Sequence, residues 1–304
     1  MKQFFTFVAA LFMALLPAAA ARDNDPDFVL NETRSYQVEP FDALEVSWVY
    51  LVELAQSPTQ SVEVEAPDFV MPYLQVKVRN SCLILDVSGM PKDIRRKVER
   101  EEYTIRAIVT MPTLTKVEMS GASRLFAVGD FQANAFRMEM SGATSLKGLQ
   151  MSADRANLQC SGASKFQIKG DLVDVKANLS GASKGDLESN GIELNLDLSG
   201  SSKLELAGFY DKAGMEASAA TTIRMKGHLG ALELTGSGAA KIDLMDCPTQ
   251  DASLELSGAA STKIAVNGTL GVELSGGSSC QYKAGPELQI VSLEVSRGAS
   301  LKRL

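Results

Sequence analysis

The sequence is poor in the side chains on which most enzyme and cofactor sites depend. It holds one histidine, His228, and one tryptophan in 304 residues, and aromatic residues make up only 6%. A single imidazole argues against a histidine-based triad, a multi-histidine zinc site or a haem pocket. Basic residues are outnumbered, 30 against 37 acidic, for a formal net charge of −7. That balance argues against a nucleic-acid binder relying on a basic surface. Proline is scarce at 10 residues, and the 24 glycines follow no collagen period. Dinucleotide-fingerprint, Walker A, HExxH and nucleophile-elbow phrases are missing in suitable contexts. Catalytic residues, metal ligands and cofactors are accordingly expected to be none.

The one long apolar run lies at the start, MKQFFTFVAALFMALLPAAAARDNDPD. Lys2 precedes an apolar stretch from Phe4 to Leu16, Pro17 breaks it, and Ala18 to Ala21 supply small residues. This reads as a signal peptide over residues 1–21, cleaved before Arg22, and the apolar run is shorter than the roughly 20 residues of a membrane span. A lead of residues 22–34 follows. No cysteine follows closely enough to take a lipid anchor, and no later segment is apolar enough to span a bilayer. The expected product is an exported protein in the periplasm or at the cell surface. Cys82, Cys160, Cys247 and Cys280 are far apart and in dissimilar contexts. They read as free thiols in a core rather than as a disulfide framework.

What the sequence has in abundance is one phrase. Alternating apolar and polar residues run into Ser-Gly-small-small, as in VEMSGAS (117–123), MEMSGAT (138–144), LQCSGAS (158–164), ANLSGAS (177–183) and LDLSGSS (196–202). It blurs at MEASAAT (215–221) and returns as LELTGSG (232–238), LELSGAA (254–260), VELSGGS (272–278) and LEVSRGA (293–299). With Ser or Thr at 120, 141, 161, 180, 199, 218, 235, 257, 275 and 296 as markers, the steps range from 17 to 22 and average near 20. Alternation predicts strand, because successive side chains point to opposite faces. A second short strand follows each marker, often closed by glycine, as at Gly170 and Gly208.

A period near 20 with short strands predicts an all-β fold, a parallel β-helix or solenoid whose coils stack about 4.8 Å apart. A propeller blade needs roughly 40 residues. Small residues suit corners where coils stack closely, and Gly121, Gly142, Gly162, Gly181, Gly200, Gly236, Gly258 and Gly276 are the expected corner glycines. Residues 35–116 lack the phrase but are equally strand-like. They read as an irregular β-rich N-terminal region continuous with the solenoid of residues 117–304. Their one candidate helix, Asp93–Glu102, reads as a solvated excursion between strands.

Two charged series stand out. The outward residue two before each marker reads Glu118, Glu139, Gln159, Asn178, Asp197, Glu216, Glu233, Glu255, Glu273 and Glu294. In stacked coils this becomes a mostly acidic ladder. Two carboxylates 5 Å apart repel by roughly 1 kcal/mol in water before screening, so splayed side chains, counter-ions or neighbouring cations are expected to relieve it. A basic series, Arg124, Lys165, Lys184, Lys203, Lys241 and Lys263, follows the corner and could supply those cations if the two series share a face; the alternative is that they stand on different faces.

The stretches FDALEVSWVYLVELAQSP, VEVEAPDFVMPYLQVKV, LILDV and IVTMPTLTKVEMSGAS, with the serial SGAS coils, resemble the putative auto-transporter adhesin, head GIN domain family over roughly residues 35–285. The resemblance implies a right-handed β-helix in the periplasm or at the surface. It lends no catalytic residues. The chain shows no membrane barrel with which to export itself. The expected function is adhesion or glycan binding without catalysis, with a carbohydrate-active β-helix enzyme or a self-associating envelope scaffold as alternatives. The expected partners are a glycan or cell-surface component, with no nucleic acid.

Overall fold

The computed structural model describes residues 30–304. The signal peptide and most of the lead expected at the N-terminus lie outside the described residues. The fold is a β-solenoid in which each coil pairs in parallel with the next. Lys165, Lys184, Lys203, Thr222 and Lys241 stand in one column, a 19-residue step each time.

Each central coil is one long bent strand, Lys165–Leu179, Lys184–Leu198, Lys203–Ala217 or Thr222–Gly236, where two short strands were expected. Burial shows where the strand bends. In the coil of residues 165–179, Phe166 and Ile168 point inward, alternation slips at residues 169–171 and again at 173–174, and Val175, Ala177 and Leu179 point inward thereafter. These slips divide the coil into three faces. The front face runs up to the Ser-Gly corner, the second face follows it, and a short third face closes the coil.

The core is a set of aligned columns. One runs Met138, Leu158, Ala177, Leu196, Met215, Leu234 and Leu254, all buried. Volumes compensate along a column. Gly185 sits between Phe166 and Leu204, and a Cβ there would meet the Leu204 Cδ1 at 2.6 Å. The fourth residue of each corner also faces inward. Ser123, Thr144, Ser164, Ser183, Ser202 and Thr221 are buried, and several donate to the carbonyl three residues back, as Ser164 Oγ does to Ser161 O at 2.6 Å. At Ser123, Ser164 and Ser202 the small hydroxyl closes the turn without filling the core.

The corner register corrects one reading of the sequence. The corner after Ser199-Gly200 is Ser218-Ala219, and the next is Ser237-Gly238, not Thr235-Gly236. Gly236 lies in the strand and faces the core, beside the Leu256 side chain. The irregular 17- and 22-residue steps thereby become 19 and 20. Ala219 holds φ +58° where its neighbours have glycine, which is why the phrase blurs there.

The N-terminal end does not follow chain order. Ala43–Val46 and Tyr50–Gln56 form the first coil and pair in parallel with Lys116–Met119 and Arg124–Val128. On their other side lie Cys82–Val87 and Ile105–Met111, later in sequence yet further out in the stack. Antiparallel strands then finish the end. Leu74–Arg79 pairs with Cys82–Val87, Ser61–Pro67 with Ile105–Met111, and Asn31–Tyr36 with Ser61–Pro67. Arg106 bridges this cap through two hydrogen bonds to Glu53, at 2.8 and 2.7 Å.

In that outer coil a helix, Lys92–Arg100, replaces the four-residue corner. It is docked rather than a fully solvated excursion. Val98 is buried, Arg95 lies 5.5 Å over the Trp48 ring, and Lys97 lies 4.7 Å over Phe69. The Trp48 indole N–H donates to Glu99 at 3.4 Å. These contacts need the charged residues as packing groups, which composition alone did not suggest. The four cysteines are unpaired, with Cys160, Cys247 and Cys280 buried and Cys82 half-buried. Burial pushes the Cys160, Cys247 and Cys280 thiols up to about 12. No helix among the described residues is long and apolar enough to cross a membrane.

Candidate functional site

The front face carries the polar ladder in register. Glu118, Glu139, Gln159, Asn178, Asp197 and Glu216 stack coil on coil, with Glu45 before them. Thr235, not Glu233, takes the next place, followed by Glu255, Glu273 and Glu294. Glu233 stands two residues earlier on the same face, beside Gly214 and Ser253.

The cations that relieve this ladder come from its own face. Lys116, Arg137, Asn157, Lys176 and Asn195 form the adjacent column. Lys116 Nζ meets Glu118 Oε2 at 2.6 Å, and Arg137 Nε pairs with Glu139. The hydrogen bond to Glu118 raises the Lys116 pKa. In the middle coils amides replace charges, and Gln159 Nε2 donates to Asn157 Oδ1 at 3.4 Å. The i, i+2 pairs in Lys-Val-Glu and Arg-Met-Glu were the sequence signal for this arrangement, since residues two apart on a strand share a face. Toward the C-terminus the neighbouring column holds Ser253, Gly271 and Ser292, and Glu255, Glu273 and Glu294 stack without a cation beside them there.

The basic series stands past the corner, on the second face. Arg124, Lys165, Lys184, Lys203 and Lys241 share one column with Ser145 and Thr222, while Lys263 belongs to the next column out. Its charges are also met locally. Lys203 and Arg224 both reach Glu205, at 2.8 and 3.0 Å, and the hydrogen bond from Lys203 is the main cause of that carboxyl's lowered pKa. The two series therefore do not neutralise each other across the corner.

Two shallow grooves lie side by side on the front face. One, about 390 Å³, follows the ladder from Glu118 to Asp197 and is edged by Ser120, Ser141, Ser161, Ser180 and Ser199. The other, about 650 Å³, is lined by Lys116, Arg137, Arg155 and Lys176 with Glu193 and Asn195, over Phe136, Ala156 and Val175. Together they present rows of carboxylates, amides, hydroxyls and cations at the coil spacing, about 4.8 Å. Such rows can hold an extended, repeating polar ligand through many weak hydrogen bonds.

The family profile for the putative auto-transporter adhesin, head GIN domain matches residues 40–189 and 181–286. The chain belongs to that family. Among solved structures, a putative adhesin from Parabacteroides merdae shares 14% identity over 90% of this chain and 96% of its own, with a TM-score of 0.50. A putative adhesin from Parabacteroides distasonis shares 14% over 90% and 97%, with a TM-score of 0.48. A putative lipid binding protein from the same species shares 15% over 90% and 96%, with a TM-score of 0.43. At such identity the first of these likenesses speaks to the fold alone. No curated protein matches the sequence.

Proposed function

We propose that this head GIN domain protein is an exported adhesion module that binds a surface glycan without catalysis. The observation that carries the reading is the front face. Its rows from Glu118 to Asp197 and from Lys116 to Asn195 repeat coil by coil on a backbone fixed by parallel pairing. A ligand that repeats along its length gains one set of contacts per coil, and the rigid ladder has little ordering entropy to lose. The N-terminal signal reading supplies the route out of the cytoplasm.

The test is a glycan array and whole-cell binding with purified protein. The wild type should retain a defined set of glycans. Replacing Arg137 and Glu139 together by alanine should weaken front-face binders, and incubation with any bound glycan should release no shorter product. Depolymerisation would overturn the non-catalytic part of the reading. Retention of no glycan and no cell surface would overturn the whole.

A second reading, self-association, is favoured by the last strands. Gln289–Val295 is exposed throughout, and Ile290, Leu293 and Val295 stand in the columns of the buried Leu270, Val272 and Leu274. An apolar coil face with a free strand edge is suited to pairing with another copy. Light scattering across a concentration series, with Leu293→Lys as the control, separates this assembly from a monomer.

A further inference from the structure

The third face carries an exposed apolar pair in the middle of the repeat. Phe209 is 62% exposed and Ile192 53%, in a chain otherwise short of aromatic residues. The coil register places Ile192 beside Val173 and diagonal to Phe209, within side-chain reach. The three form a small apolar shelf. A groove of about 410 Å³ lies next to it on the same face, lined by Asn134, Ser152, Asp154, Asp171 and Val173.

The shelf is held in place. Asn190 Oδ1 accepts from the Phe209 backbone N–H at 3.1 Å, and Asn190 Nδ2 donates to Asp171 Oδ1 at 3.4 Å. Beneath, the Tyr210 hydroxyl is buried against Ser189 Oγ at 2.7 Å. Packing of Gly208 on the Ser189 carbonyl sets the bend that turns Phe209 outward.

We infer that this face is a binding site for a neutral glycan, with Phe209 and Ile192 as the stacking platform and Asp171, Asp154 and Asn134 as hydrogen-bond partners for sugar hydroxyls. This rests on the reading of the chain as a glycan-binding module and adds to the front face a second site, with its ligand class. A pyranose ring has an apolar C–H face and a rim of hydroxyls. It matches a flat apolar shelf edged by carboxylates and amides, which accept and donate in the plane of the sugar. The shelf is too small for a protein interface core, which buries far more area. Charge decides the class. The two outward columns hold Asp154, Asp171 and Asp211, one histidine, His228 beside Phe209, and no lysine or arginine, so the acidic balance disfavours uronate, sulfate and phosphate groups. From Asn134 to Phe209 the site crosses four coil spacings, ~19 Å, room for about four sugars of an extended chain.

The experiment is titration calorimetry with β-linked glucose and N-acetylglucosamine oligomers of two to six units, and with polygalacturonate as the anionic counterpart. A neutral oligomer should bind, with affinity rising to about four units and then levelling. Phe209→Ala should weaken it at least about tenfold. Phe209→Tyr should keep it, and Lys241→Ala on the second face should leave it unchanged. Thermal unfolding of both Phe209 variants should match wild type, since the ring is exposed. If neutral oligomers bind and Phe209→Ala and Ile192→Ser are both silent, the third-face site is wrong and the glycan-binding reading stands. Binding of polygalacturonate that Arg137→Ala abolishes, with no neutral ligand, likewise overturns the third-face site and leaves glycan binding in place. Failure to bind any glycan overturns both.

Discussion

The corner position that is Gly121, Gly142 and Gly162 in successive repeats is Trp48 in the first coil, and all four residues are left-handed, with φ between +58° and +76°. In the repeats another corner lies on each side. The Ala163 N–H donates to Gly142 O at 2.7 Å, and the Ala182 N–H to Gly162 O at 2.7 Å. In the first coil no four-residue corner lies outside Trp48. The docked helix Lys92–Arg100 lies there instead, with Arg95 over the ring and Glu99 accepting from the indole. A positive φ at a non-glycine residue costs roughly 1–2 kcal/mol. Trp48 offsets it with contacts, whereas at Gly142 or Gly162 even a Cβ would meet the preceding corner's carbonyl oxygen at 2.5 Å. The solenoid interior is specified by smallness, and its cap by large side chains in particular places.

The substitution expected to act most strongly tests that smallness at the second bend. Gly208 has φ +149°, and a Cβ there would land inside the Ser189 carbonyl oxygen. The obstacle is backbone of the adjoining coil, so a side chain cannot swing clear of it. Gly208→Val should cost more than about 4 kcal/mol, the range reached only by gross clashes. Soluble expression should collapse, or Tm should fall by at least about 8 °C. Gly200→Val meets the Gly181 carbonyl oxygen at 2.7 Å, at the outer edge of its corner. A drop of several degrees, smaller than at Gly208, is expected there. Wild-type melting at both positions would show that coil contact does not select glycine.

Trp48→Gly and Ala219→Gly sharpen the contrast because the same replacement should have opposite signs. Ala219 is a repeat corner with φ +58° and nothing to gain from its methyl. The adjoining bond, from the Ala220 N–H to Gly200 O, is 2.9 Å, against 2.7 Å at the two preceding corners. Glycine should relieve the strain and raise Tm by about 2–4 °C per kcal/mol recovered. Trp48→Gly relieves the same strain but removes the ring that Arg95 and Glu99 engage. Tm should fall, and the helix should lose hydrogen-exchange protection before the repeats do. A rise in both variants would mean that the helix gains nothing from Trp48.

Most of the repeat was legible because each level of the sequence agreed. Alternation set the faces, glycine set the corners, and a nearly constant step set the register. It failed where one signal was missing. With Ala219 in place of glycine, the nearby Thr235-Gly236 offered a false match, and Gly236 is in fact a core residue making room for Leu256. The cap's nesting order was not legible. Cys82–Val87 lies outside Ala43–Val46 through the choice of strand edge, and no local residue pattern encodes that choice. Of the front-face site, the acidic ladder was readable by counting back from each corner. Its partners Lys116 and Arg137 are signalled only by their i, i+2 spacing, which is less conspicuous than the row of lysines past the corner, and that row lies on another face because the chain turns at the serine. Phe209 gave no signal at all, since one aromatic in an alternating strand does not reveal which side is wet.

The smallest effect is expected where the repeat faces only water. Glu255 lies in a column between Thr235 and Glu273, and the neighbouring column beside it holds Ser253. Replacing it by glutamine keeps the shape and removes one like-charge pair across ~4.8 Å. That repulsion is worth about 1 kcal/mol in unscreened water and less in salt, because exposed side chains splay apart. Glu255→Gln should therefore shift Tm by no more than about 2 °C, upward, with the shift shrinking as salt is added. A fall of more than about 3 °C would show that the carboxylate is held by something the coil register does not reveal. The comparison would then fail at its bland end, since a stretch of the ladder beyond the two grooves has no reason to prefer charge over an amide of the same size.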